Sequence, residues 1–144
     1  ADWIFLVPFP DQARQIKPPL AFNFAGDLPV YATSHVYSGE RDPSRDRDLN
    51  GIMFCDAPWL LRSSELKSEI DAAISGGEGG YARLYAMGVD AFRLVARVKQ
   101  LEAFPDSRIY GSTGALTLDN QRRIHRETEC TRFRAGSPVQ LAAD

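Results

Sequence analysis

The sequence has little of what chemistry usually needs. Its 144 residues include 2 histidines, 2 cysteines, 2 methionines and 2 tryptophans. Clustered His, Cys and carboxylate ligands at fixed spacing, the mark of a metal site, do not occur. Cys55 beside Asp56 is too small a set. Asp42, Asp46 and Asp48 touch on calcium-loop spacing, but Arg41, Arg45 and Arg47 oppose a cation there. The loop also lacks the central glycine and the terminal glutamate. An excess of one charge is missing too. The 17 basic and 19 acidic side chains leave a net charge of −2, which gives no long-range pull on nucleic acid or an anionic membrane. No apolar run approaches the roughly 20 residues that span a bilayer, and no signal-peptide pattern is present. The patterns GxSxG, GxGxxG and GxxxxGK[ST] are all absent.

What is present reads as one globular domain with a core. Hydrophobic residues make up 44% and charged residues 25%. The chain opens on Ala1-Asp2 and enters the apolar stretch WIFLV at once, which suggests a piece of a longer protein whose targeting signal lies elsewhere. Cys55 and Cys130 could form one disulfide, although two buried thiols are the commoner outcome.

The continuous apolar run WIFLV (3–7) predicts a strand covered on both faces. Asp11 is a candidate N-cap for a short helix over 12–17. Pro18-Pro19 predicts a break, followed by a second helical piece over 19–25 that buries Leu20, Phe22 and Phe24, with Gly26 as a stop. PVYATS (29–34) reads as a second strand. SGERDPSRDRD (38–48) alternates in charge sign and reads as a solvated, self-paired loop. GIMFC (51–55) reads as a third strand. Ser63 or Ser64 is expected to cap a helix whose stripe is Leu66, Ile70, Ala73 and Ile74. SGGEGG (75–80) predicts a flexible break. A long helix over 81–103 presents Leu84, Gly88, Ala91, Val95 and Val98 on one side, widened by Tyr85 and Phe92. Phe104-Pro105 ends it. The remainder, RIYGSTG, ALTL, RIHRETECTRF and PVQL, is strand and turn. The element order gives an α/β fold with a mixed sheet, in which the strands after the helices need not pair with the first three, as a chain running between two neighbouring sheets would explain.

YGSTGALTLD (110–119) sets glycines around Ser112 and Thr113, as phosphate-cradling loops do. Such a loop needs a helix after its glycines. Here Leu116 and Leu118 alternate with polar residues, so the stretch predicts a glycine turn joining strands. Gly111 and Gly114 then answer a backbone need, Ser112 and Thr113 bond locally, and Asp119 opens the next turn. Of the two histidines, His125 reads as an exposed strand residue. Ligands of open α/β sheets lie beyond the carboxyl ends of parallel strands. Those ends hold Thr33, Ser34, His35, Tyr37, Asp56 and Trp59, a polar and aromatic set that could line a cleft or meet a partner. For Trp59, core packing is at least as good a reading.

Three stretches, PVYATSHVYSG with RDLNGIMFCDAPWLL, YAMGVDAFRLVARVKQLEAFP, and RIYGSTGALTLDNQRRIHRETECTRFRAGSPVQL, together resemble the C-terminal domain of the LpoA family. That family comprises outer-membrane lipoproteins that activate a class A penicillin-binding protein. The resemblance runs from about residue 3 to 141. The G-x-T-G-x-L-x-x-D pattern also resembles type I periplasmic receptors for amino acids. The resemblance implies a three-layer αβα sandwich, part of a two-lobed type I periplasmic binding protein-like fold. It implies that residues 1–144 are a partial C-terminal domain, without an N-terminal helical repeat domain, a lipid anchor or the first lobe's opening βαβ units. A complete receptor cleft is then not encoded, and sheet edges are left for another chain to pair with. It further implies a place on the periplasmic face of the outer membrane, a peptidoglycan synthase as partner with peptidoglycan as a second, no cofactor and no catalytic residue. The rival readings are a solute receptor using Thr33, Ser34, Tyr37, Asp56 and Trp59, and, with least behind it, a hydrolase using His35.

Overall fold

The computed structural model describes residues 2–74 and 79–141. In chain order the elements are β1 (Ile4–Leu6), α1 (Pro10–Phe22), β2 (Val30–Ala32), β3 (Ile52–Asp56), α2 (Pro58–Leu61), α3 (Glu65–Ala73), α4 (Ala82–Ala103), β4 (Ile109–Tyr110), β5 (Ala115–Leu118), β6 (Ile124–Glu127), β7 (Glu129–Arg134) and β8 (Ser137–Gln140). Two compact units result. One takes Ala1–Cys55 with Cys130–Asp144, the other Asp56–Glu129.

The first unit is built on a five-stranded sheet of order β1-β2-β3-β7-β8. Strands β1, β2 and β3 run parallel, and β7 and β8 form an antiparallel pair. Along β3 the side chains alternate: Ile52, Phe54 and Asp56 are buried while Cys55 is exposed, as the period of two requires. The core gathers on the buried face. Phe54 stacks on Phe133 at 5.2 Å, and Tyr37 packs on both rings at 5.9 Å. β1 does not meet the expectation of a strand covered on both faces. It stands at the edge of the sheet, with Trp3, Phe5 and Val7 exposed. An apolar run alone does not tell a central strand from an edge strand.

The two prolines do not break α1, which runs on through Pro18 and Pro19. Proline's fixed φ suits a helix, and what is lost is backbone donors. Here tertiary contacts outweigh that loss. Ala13 is fully buried, and Arg14 bonds the buried Asp46 through Nε (3.0 Å) and Nη2 (2.6 Å). The helix begins two residues earlier than expected, with Pro10 at its first position and Asp11 in the first turn, where a carboxylate meets the positive end of the helix. Phe22 and Phe24, expected in the core, are exposed. The 38–48 loop is likewise more than a solvated segment. Its end winds into a 3-10 turn over Asp46–Leu49, with Asp46 and Leu49 both buried.

Cys55 and Cys130 form a disulfide across 75 residues, where two buried thiols were the commoner expectation. Their strands are neighbours in the sheet, and both residues are exposed.

The second unit pairs helices with a three-stranded antiparallel sheet, β4-β5-β6. Ser64 caps α3 as expected, its hydroxyl accepting from the Lys67 N–H at 3.2 Å. Leu101, Ile109 and Leu116 make a small core, with Leu94 and Leu118 against it. α4 has the expected length, but its buried line is Ala82, Ala86, Asp90 and Leu101. Leu84, Phe92 and Val95, on the face that the apolar pattern picks out, are exposed. Of the SGGEGG segment, 75–78 lie outside the described residues, and Gly79–Tyr81 form a 3-10 turn. RIHRETECTRF, which reads as one strand, is divided at Thr128 into β6 of this sheet and β7 of the other. The chain thus does pass between two sheets.

Candidate functional site

The turn that first suggested an anion cradle is one, and the anion is internal. The backbone N–H groups of Ser112 and Thr113 donate to the Asp90 carboxylate at 2.6 and 2.7 Å, and the Thr113 hydroxyl donates to it at 2.7 Å. Asp90, Ser112 and Thr113 are all buried. α4 therefore carries a fixed negative group into the turn, where three donors stabilise it. Asp90 was missed in the sequence, where Ser112 and Thr113 read as bonding locally. Its signal is its position on the small-residue line Ala82, Ala86, Asp90, since an acid on a buried helix line needs donors.

The two glycines of the turn answer close approaches. A Cβ on Gly111 would lie 2.6 Å from the Asp90 carboxylate. A Cβ on Gly114 would lie 2.2 Å from the carbonyl oxygen of Glu127, and Gly114 has φ +148°. Gly114→Ala is expected to cost more than the about 1–3 kcal/mol of backbone strain alone, because β6 must also move. Thermal unfolding checks this; a melting temperature unchanged from the parent would contradict it.

Asp56 and Trp59, two of the strand-end candidates, lie in this second unit and are built into it. The Asp56 carboxylate takes the Arg83 guanidinium and the Ala57 N–H. The Trp59 backbone N–H donates to the Ser112 carbonyl at 3.0 Å, which fixes α2 to the turn. The indole is buried, and among the described residues its Nε1 has no hydrogen-bond partner. An open groove of about 670 Å³ runs beside α4, lined by Phe92, Val95, Ala96, Ile109 and Tyr110 with Arg93 and Arg97.

The other candidates lie in the first unit, just past β2. Tyr37 is buried in the aromatic core. Thr33, Ser34 and His35 follow the strand into a 3-10 turn, Ser34–Val36. Thr33 and Ser34 are half-buried and His35 is exposed, its ring edge-on to Phe9 at 5.6 Å. The Thr33 Oγ1 is buried and has no partner among the described residues. The six candidates thus divide between the units: Thr33, Ser34, His35 and Tyr37 in one, Asp56 and Trp59 in the other.

His125 is exposed on β6, as expected, with its Nε2 2.8 Å from Asp119 Oδ2. Asp119 opens the turn as expected and also accepts from the backbone N–H groups of Gln121 and Arg123 and from Arg123 Nε. The bond to His125 is the foremost cause, and with those of Arg123 and Gln121 it holds the Asp119 carboxyl well below the usual carboxylate range. The sign follows. A carboxyl with a folded pKa below its unfolded value adds stability above the unfolded pKa of about 3.9 and loses it as pH falls further. Asp119→Asn should therefore flatten the pH dependence of stability below about pH 4, read by denaturant unfolding at stepped pH. An unchanged acid limb would refute it.

Among the described residues no group of three or more His, Cys, Asp or Glu is placed to hold a metal ion, and no described helix is long and apolar enough to cross a membrane.

Comparison with known proteins gives this arrangement its context. A family model described as "LppC putative lipoprotein" matches residues 1–136. The penicillin-binding protein activator LpoA of Haemophilus influenzae is 28% identical over 141 residues, which are 96% of this chain and 24% of that protein. The chain spans about a quarter of the length of that curated relative. The solved C-domain of LpoA from the same organism, described as a regulator of PBP1A, matches with a TM-score of 0.79 at 26% identity, over 99% of this chain and 45% of that one. The leucine-binding protein LivK of Thermotoga maritima matches with a TM-score of 0.53 at 17% identity, over 98% of this chain and 44% of that one. This last likeness bears on fold alone, and the fold is that of the periplasmic binding proteins.

Proposed function

We propose, from the premise that this chain belongs to the LppC family, that it forms part of an activator that binds a class A penicillin-binding protein and raises its peptidoglycan cross-linking. The observation that carries the reading is the match of nearly the whole chain to the C-domain of a PBP1A regulator. The treatment of charge supports it. The buried carboxylates Asp46, Asp56 and Asp90 are each committed to Arg14, to Arg83 or to the Ser112-Thr113 turn. Groups so paired hold a scaffold together, and the reading is of a protein that acts by contact and without chemistry of its own. The lipoprotein family and the disulfide, a bond kept in oxidising compartments, support a place in the cell envelope, on the periplasmic face of the outer membrane.

Of the strand-end residues, Ser34 and His35 are those we assign to a partner surface, since Tyr37, Asp56 and Trp59 are enclosed. The test is capture of a purified class A penicillin-binding protein by the full-length protein. Retention is expected, weakened several-fold by joint Ser34→Ala and His35→Ala changes. No retention by the parent protein would end the activator reading. Equal retention by parent and variant would end the assignment of the surface.

A second reading, a receptor for a small amino-acid-like or muropeptide ligand, is favoured by one observation. The Thr33 hydroxyl oxygen is buried without a partner at the carboxyl end of a parallel strand, where ligands of such sheets bind. A thermal-shift series with free amino acids and muropeptides decides it. A ligand at 100 times its dissociation constant adds about 2.7 kcal/mol, so no shift at millimolar concentration rejects this reading.

A further inference from the structure

We infer that the Cys55–Cys130 disulfide is a redox-modification site, an accessible bond that a dithiol reduces while the protein stays folded. Three observations carry this. Both cysteines are exposed, and access is a first requirement for thiol–disulfide exchange. Their positions are special in the chain. Cys55 is the last residue before the chain leaves the first unit, and Cys130 is the first after it returns. The bond therefore closes a loop that contains the whole of the second unit, residues 56–129. The third observation is what holds the same two strands without it. Phe54 stacks on Phe133 at 5.2 Å, the Thr131 hydroxyl donates to the Phe54 carbonyl at 3.4 Å, and the Gly51 N–H donates to the Phe133 carbonyl at 2.9 Å. Fully buried Ile52 and Phe133 lie on the same two strands. β3 and β7 thus keep their aromatic core and hydrogen bonds when the covalent tie is cut, so reduction leaves the sheet, and with it the two ends of the loop, in place.

The chemistry closes on itself. A thiolate of the dithiol attacks one sulfur of the pair, the sulfur–sulfur bond breaks, and a mixed disulfide forms. The second thiolate of the reductant displaces the remaining cysteine. Cys55 and Cys130 leave as thiols carrying two protons, and the dithiol becomes the disulfide. Two electrons move in all. In the chain-entropy description, freeing a closed loop of 75 residues raises the unfolding equilibrium constant by about three powers of ten. Openings that part β3 from β7 should become more frequent with it. This inference is independent of the activator reading.

The test uses the full-length protein in native buffer with graded dithiothreitol, then alkylation and mass measurement. Both cysteines are expected to be alkylated, with the far-UV dichroism of the folded protein retained. Amide hydrogen exchange at the most protected positions, those that exchange only when β3 and β7 part, is expected to quicken at least about tenfold, and the Cys55→Ser, Cys130→Ser double variant should reproduce that pattern without reductant. Alkylation only after denaturant is added would overturn the accessible site. So would loss of the dichroism on reduction. Exchange at those positions that is unchanged by reduction would overturn the bond's hold on the unfolding equilibrium. The measurements on the reduced parent protein decide the matter even if the double variant fails to fold.

Discussion

Asp90→Ala is expected to lower the unfolding free energy by about 3–5 kcal/mol, because it strands several buried donors at once. The backbone N–H groups of Ser112 and Thr113 and the Thr113 hydroxyl all point at this carboxylate. Each buried donor left without an acceptor costs about 1–3 kcal/mol. A plain contact would behave differently, since its loss would scale with the few atoms removed. Asp90→Asn keeps one acceptor oxygen and presents two donors where acceptors are needed, so it should fall between alanine and the parent. Thr113→Val removes the hydroxyl bond alone and should cost about 1.5 kcal/mol or slightly more, as for one bond to a charged group. Denaturant unfolding of the three variants gives the ordering. A loss under about 1 kcal/mol for Asp90→Ala would mean that water replaces the carboxylate and that the turn is open to solvent.

Phe133→Ala should cost a similar about 3–5 kcal/mol, by the transfer of a large side chain and the cavity left behind. Phe133 is fully buried in β7, stacked on Phe54 and edge-on to Tyr37. Those three rings join β3, β7 and the turn after β2, so little can collapse into the space. Phe133→Leu retains most of the volume and should cost about 1–1.5 kcal/mol. If alanine and leucine cost the same, the aromatic geometry and not the cavity governs the site. If neither costs anything, Phe133 is not in a packed core at all.

These two residues also show what was legible in the sequence. The α/β class, the strands over 30–32 and 52–56, the cap at Ser64 and the end of the long helix at Phe104 all follow from local signals. So does the strand–turn–strand nature of GSTG, because alternation after the glycines is a local fact. Non-local competition decided the rest. Pro18-Pro19 signals a break, yet Arg14 reaching Asp46, 32 positions away, holds the helix through it. Five apolar residues signal a covered strand, but the order of strands in the sheet puts β1 at an edge. The candidate residues at strand ends were placed by a rule about ligands. Of them Tyr37 and Trp59 went to packing and Asp56 to Arg83, since a buried polar or aromatic group must first satisfy its own surroundings. Asp90 was overlooked for the complementary reason. Its partners lie 22 and 23 positions further on, beyond any window in which periodicity speaks.

A protein containing this chain, as we propose, switches a synthase by contact. The most direct measurement is the extent of peptidoglycan cross-linking made from lipid-linked precursor by a purified class A penicillin-binding protein, with increasing full-length protein added. Cross-linking is expected to rise and saturate, and the protein alone to form no product. Cross-linking that stays at the level of the synthase alone, at a concentration where the two are shown to be bound, would contradict it.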